Sequence, residues 1–167
     1  MDLPPRTYEV QAGYSLGLLE MEAVVEWAVE ALAAGFDSRS LRILAGLEPP
    51  HDPEEIRRLY AAAFVEIGIS PLSQEAHIRF FIASVLRGML SGELGSKAAL
   101  ERLADLHIAR GYDRELADFY RLYHAKWDLE SQEVQWYWSG ADRSNIEHLI
   151  ETYAKRWLEN HDHGKVS

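Results

Sequence analysis

The sequence predicts an all-α fold, a single-domain array of about seven antiparallel helices around a central buried helix at residues 72–90. Three observations carry that expectation. Apolar residues recur at i, i+3, i+4 and i+7 through most of the chain, a spacing that lines up side chains on one helix face. Helix-starting signals precede these runs, as where Asp52, Pro53 and Glu55 combine a capping box with proline at the first helical position. A glycine, an apolar residue and a cap recur as Gly35-Phe36-Asp37, Gly68-Ile69-Ser70 and Gly111-Tyr112-Asp113, a construction that turns one helix into the next. Their spacings differ and no other positions match between them, which points to a common corner rather than an internal repeat.

Residues 1–13 contain Pro4 and Pro5 and no clear period, so they are expected to form an N-terminal arm. Leu18 to Ala34 reads as the first helix, with Met21, Val25, Ala28 and Leu32 on one side. Glu22, Glu26 and Glu30 fall on the other, a solvated face or an acidic strip for a basic partner. A short helix through Leu41 and Leu44 ends at Gly46 and the Pro49-Pro50 pair. The next buries Ile56, Leu59, Tyr60, Ala63, Phe64 and Ile67. Leu72 to Leu90 then places Ile78, Phe81, Ile82, Val85, Leu86 and Met89 on one face, with Arg79 and Arg87 interrupting the run. After Gly92 and Gly95, Ser96 is expected to cap a helix whose apolar side includes Leu100, Leu103 and His107.

Arg114 to Asp128 carries Leu116, Phe119, Tyr120, Tyr123 and Trp127 as a stripe facing the last helix. Leu129 to Asp142 fits neither period and is expected to be a loop with one helical turn. Ser144 and Glu147 suggest a capping box for the final helix, with Ile146, Leu149, Ile150, Tyr153, Trp157 and Leu158 inward. Residues 160–167 are polar and expected to fray.

Composition narrows the function classes. The chain of 167 residues has no cysteine, which removes disulfides and thiolate chemistry and fits a cytoplasmic protein. Met1 to Leu19 lacks the basic and apolar regions of a secretory signal, so secretion is not expected. No uncharged apolar run is long enough for a membrane span. The net charge of −10 opposes attraction to nucleic acid or anionic membranes and favours a basic partner.

No phosphate-binding, dinucleotide, nucleophile-elbow or H-E-x-x-H motif occurs, and the one E-x-x-H match, Glu48 to His51, runs through the Pro49-Pro50 pair and so cannot serve a dimetal site on a helix. No cofactor is expected, and an enzymatic activity is not indicated. His161, Asp162 and His163 could hold a stray divalent ion at most. An alternative reading places a small-ligand or catalytic pocket between helices, using His107, His124 or His148 with Asp128 or Glu130 as acid and base. For His107 a partly buried, hydrogen-bonded histidine is the commoner situation.

The unusual feature is aromatic. Ten of the chain's 18 aromatic residues lie between Tyr112 and Trp157. Trp136, Tyr137 and Trp138 are consecutive in an irregular segment and cannot all point inward; they either plug a gap between helices or anchor a partner, as such residues do at interfaces. With Glu22, Glu26 and Glu30 they form the candidate partner-binding set, the occupant being a basic protein or a second copy of the chain.

The segment WAVEALAAGFDSRSLRILAGL, Trp27 to Leu47, and the later LRGMLSGEL, Leu86 to Leu94, resemble a pattern found in small uncharacterised bacterial all-helical proteins. The resemblance implies a fold and no activity or site. The expected function is a non-enzymatic interaction module of immunity or regulatory type.

Overall fold

The computed structural model describes residues 2–4 and 6–161, which hold eight α-helices, one 3₁₀ turn and no strand. The helices are α1 (Thr7–Leu16), α2 (Met21–Ala33), α3 (Arg39–Ala45), α4 (Pro53–Glu66), α5 (Gln74–Leu90), α6 (Ser96–Ala109), α7 (Ala117–Ser131) and α8 (Ile146–His161). The 3₁₀ turn, Arg114–Leu116, leads into α7. The protein is all-α.

The chain falls into two compact units, Met1–Phe81 and Ile82–Ser167, and the division lies inside α5. The helix expected at residues 72–90 is present, with Ile78, Ile82, Val85 and Leu86 buried as their spacing requires. The strongest helix pairings are nevertheless α2 with α3, α3 with α4 and α6 with α7, rather than pairings to α5. Short corners make sequence neighbours into packing neighbours.

In the first unit Trp27 of α2 lies fully buried in a cluster with Val24, Leu41, Leu44, Ile56 and Leu59. Its ring meets Tyr60 edge-on at 5.5 Å and Phe64 at 5.6 Å. Its indole N–H donates to Thr7 Oγ1 at 3.0 Å, satisfying the one polar atom that burial would otherwise orphan. That bond ties down the segment expected to be an arm. Residues 7–13 are instead helical, within α1, and Tyr8 packs on Phe80 while Tyr14 packs on Tyr60. The helix is held by tertiary contacts, which a weak apolar period does not reveal.

The glycine turns form as their chemistry dictates, although after Gly68 the cap of α5 is Ser73, whose Oγ accepts from Ala76 N–H at 3.2 Å, and not Ser70. Gly35 takes φ 95°, Phe36 N–H donates to Ala31 O at 3.0 Å, and Ser38 then caps α3 by accepting from Leu41 N–H at 3.1 Å. Ser40 N–H and Oγ–H both donate to the Glu66 carboxylate, at 3.0 and 2.8 Å, clamping α3 to the end of α4. Bonds from Ser38 and Ser40 hold the Glu66 carboxyl below the usual range. Asp52 caps α4 by accepting from Glu54 N–H at 3.0 Å.

In the second unit two expected caps are replaced. Gly95, not Ser96, is the N-cap of α6, and Ser96 Oγ donates to Glu147 Oε2 at 2.9 Å. Glu147 is thereby withdrawn from the expected box with Ser144, and it also accepts from Lys126. Burial works to raise the Glu147 carboxyl, but the bonds from Lys126 and Ser96 together outweigh it and hold the group low. The turn into α8 is built by Asp142, whose Oδ1 accepts from Ser144 N–H at 2.8 Å and Asn145 N–H at 3.1 Å. Asn145 Oδ1 returns the favour to Asp142 N–H at 2.8 Å. Asn160 and His161 still belong to α8, and residues 162–167 lie outside the described residues.

Candidate functional site: an aromatic surface on the second unit

The helix α7 has two unlike faces. Phe119, Leu122, Ala125 and Leu129 are buried, and Phe119 meets Tyr153 and Trp157 of α8 at 5.4 and 6.1 Å. Tyr153 adds a hydrogen bond to Asp118 Oδ2 at 2.8 Å, and burial together with that carboxylate pushes its phenol up. The stripe expected to face α8 is therefore only partly right. Tyr120, Tyr123 and Trp127 take the other side of α7, because the small Ala125 and the leucines are what fits between closely packed helices.

On that other side the rings form a chain. Tyr112 stands edge-on to His107 at 5.3 Å, His107 lies 5.0 Å from Tyr120, and Tyr120 lies 4.4 Å from His124. His124 stacks on Tyr137 at 5.1 Å and 29° and meets Tyr123 edge-on at 5.2 Å. Tyr123 continues to Trp127 at 6.1 Å. Trp127 keeps half its surface in water, with Lys97 Nζ 4.8 Å above its ring. Lys97 is also 2.7 Å from Glu130 Oε2, a bond that raises its proton affinity.

The irregular segment after α7 is organised by one buried amide. Gln135 Oε1 accepts from Tyr137 N–H at 2.8 Å and Trp138 N–H at 2.7 Å, while its Nε2 donates to Trp138 O and, at 3.0 Å, to Ala141 O. Arg143 Nε closes the segment by donating to Leu129 O at 2.8 Å. This frame separates the three aromatics. Trp138 turns inward and meets Tyr153 edge-on at 5.4 Å, and Tyr137 lies over His124. Trp136 stands 89% exposed, the most exposed large apolar residue described.

No protein family, curated protein or solved structure matches this chain. Function must therefore be read from the residues themselves.

The other candidate residues fare differently. Glu22 is exposed on α2, but Glu26 is paired with Arg6 and Glu30 Oε1 lies 3.5 Å from the same guanidinium, so the acidic strip is partly neutralised from within. His107 is buried and its Nδ1–H donates to Asp113 O at 2.8 Å, the ordinary fate of such a residue. His124 is enclosed by rings, and His148 is exposed on α8. A groove of about 370 Å³ in the second unit is lined by Met89, Leu94, Ser96, Glu147, Ile150 and Glu151 among others, and by none of these three histidines. Asp128 and Glu130 do not line that groove either. No cluster able to hold a metal occurs among the described residues, and Asp162 and His163 lie outside them. His161 is stacked on Trp157 at 4.5 Å.

Sequence reasoning missed Gln135 and Trp127. Gln135 carried no signal beyond its place beside three aromatics. For Trp127 a helical wheel shows which residues share a face and not which face is buried.

Proposed function

We propose that this protein is a non-enzymatic interaction module whose aromatic surface, built from α7 and the segment after it, docks a basic protein partner. The observation that carries the reading is Trp136, a fully presented indole on a backbone that Gln135 has already ordered. A rigid aromatic anchor binds at lower entropic cost than a floppy one, and tryptophan and tyrosine dominate interface energetics. Tyr137, Val134 and Trp127 supply further exposed apolar surface, with the Glu130 and Glu101 carboxylates beside Trp127 and Tyr123 and exposed Glu133 preceding Val134 in the chain. The net charge of −10 favours encounter with a basic partner.

The test is comparative capture. Immobilised wild-type chain, the double variant Trp136→Ser with Tyr137→Ser, and Val65→Ser as a control at an exposed apolar site of the first unit are exposed to the same native extract. The reading expects one protein held by wild type and by the control, lost by the double variant, and eluted as salt rises. An identical retained set for all three would remove the basis for the reading.

A further inference from the structure

The geometry points to a cation notch between α6 and α7, formed by Trp127, Tyr123 and Glu130 of α7 and Glu101 of α6 and occupied by the chain's own Lys97, into which a lysine of the basic partner inserts by displacing Lys97. This rests on the reading of the surface as a protein-docking site. It adds the chemistry by which the partner is recognised.

An ammonium is held best between an aromatic face and a carboxylate, and the notch offers both. Lys97 Nζ sits 4.8 Å over the Trp127 ring and 2.7 Å from Glu130 Oε2. Tyr123, one turn earlier on α7, forms the adjoining wall with its ring 6.1 Å from Trp127, and its hydroxyl donates to Glu101 Oε1 at 3.4 Å. The molecule thus displays the recognition chemistry with a side chain of its own.

That occupant is weakly held. Lys97 and Glu130 keep 45% and 43% of their side-chain surface in water, and such exposed pairs contribute little. With Lys97 seated, Glu101, Glu130 and exposed Asp105 one turn beyond Glu101 still outnumber it three to one. The local charge therefore calls for a further cation. A partner lysine arriving on a chain already docked against Trp136 competes for Trp127 as an intramolecular event, which raises its effective concentration.

The experiment uses the full chain and a fluorescently labelled lysine-rich decapeptide, followed by anisotropy. Lys97→Met is expected to bind about five- to tenfold tighter than wild type, since it removes the resident competitor. Lys155→Met makes the same charge change outside the notch and is expected to stay within about twofold. Trp127→Leu is expected to weaken the Lys97→Met variant about tenfold, its half-exposed site leaving the fold intact by circular dichroism. In the wild-type chain the Lys97 ε-methylene proton resonances, shifted by the indole ring current, should move toward ordinary values as peptide is added.

Absence of peptide binding, equal affinity of the two lysine variants, or Lys97 resonances unmoved at saturation each overturns the notch. If that occurs while the Trp136 and Tyr137 variant still loses its captured protein, the docking surface stands and only the notch falls. If capture is also unaffected, the reading beneath it falls as well.

Discussion

At the scale of single residues, the buried polar atoms carry the sharpest consequences. Thr7→Val keeps the shape of the side chain but leaves the buried Trp27 indole N–H without an acceptor. The expected cost is about 1–3 kcal/mol, measured as a lowered urea midpoint with unchanged slope. His77 makes a second case. It is buried with neither ring nitrogen hydrogen-bonded, and desolvation lowers its proton affinity from the ordinary 6.5. The unfolded chain therefore takes up the proton more readily than the folded one. Stability contributed by the neutral ring is intact above pH 6.5 and is lost as the pH falls below it toward the lower folded value. His77→Leu should flatten the pH dependence of the unfolding midpoint between pH 7 and 5, as thermal melts across that range will show. An unaltered slope would mean that other groups set it.

At the scale of elements, the loop after α7 depends on one side chain. Gln135→Ala removes four hydrogen bonds that order residues 137–141 while leaving the helices their own. Amide exchange at Tyr137 and Trp138 should quicken by at least about tenfold, with protection in α6 and the inner face of α7 retained, because local opening samples only the elements that lose contacts. Partner capture should weaken even though Trp136 itself is untouched, since preorganisation is what the frame supplies.

The elements also show what could be read in advance. The corners at Gly35, Gly68 and Gly111 were legible because a left-handed backbone at a helix end demands a residue without Cβ, and all three glycines adopt positive φ. The helix α1 was not, because Gly13 and two nearby prolines weaken its local signal and its support comes from Trp27, Tyr60 and Phe80, distant in sequence. That Trp136, Tyr137 and Trp138 could not all turn inward was legible from their adjacency, but which of them faces water was not, because the Gln135 frame decides it. The outward turn of Trp127 was not legible either, since Phe119, Leu122, Ala125 and Leu129 make an equally regular face on the same helix and are the residues that are buried. The cap expected at Ser96 and the box expected of Ser144 with Glu147 are absent for a related reason: Glu147 bonds Lys126 and Ser96, partners remote in the chain.

At the scale of the whole molecule, the chain forms two compact units. The first keeps its one tryptophan fully buried, whereas Trp127 and Trp136 of the second face water. No described helix is long and apolar enough to cross a membrane. A net charge of −10 makes encounter with a basic partner sensitive to ionic strength. Raising salt from about 0.05 to 0.5 M should slow association far more than it speeds dissociation, as stopped-flow or surface-binding kinetics will resolve. A partner whose association rate ignores salt would instead be docked by apolar contact alone.

The most direct measurement places a photoreactive benzoylphenylalanine at position 136 and, as a control, at position 65, in the full chain within its native extract. The account predicts a single protein adduct from position 136, suppressed when Gln135 is also changed to alanine, and none from position 65. Adducts of the same kind and yield from both positions, or none from position 136, would contradict it.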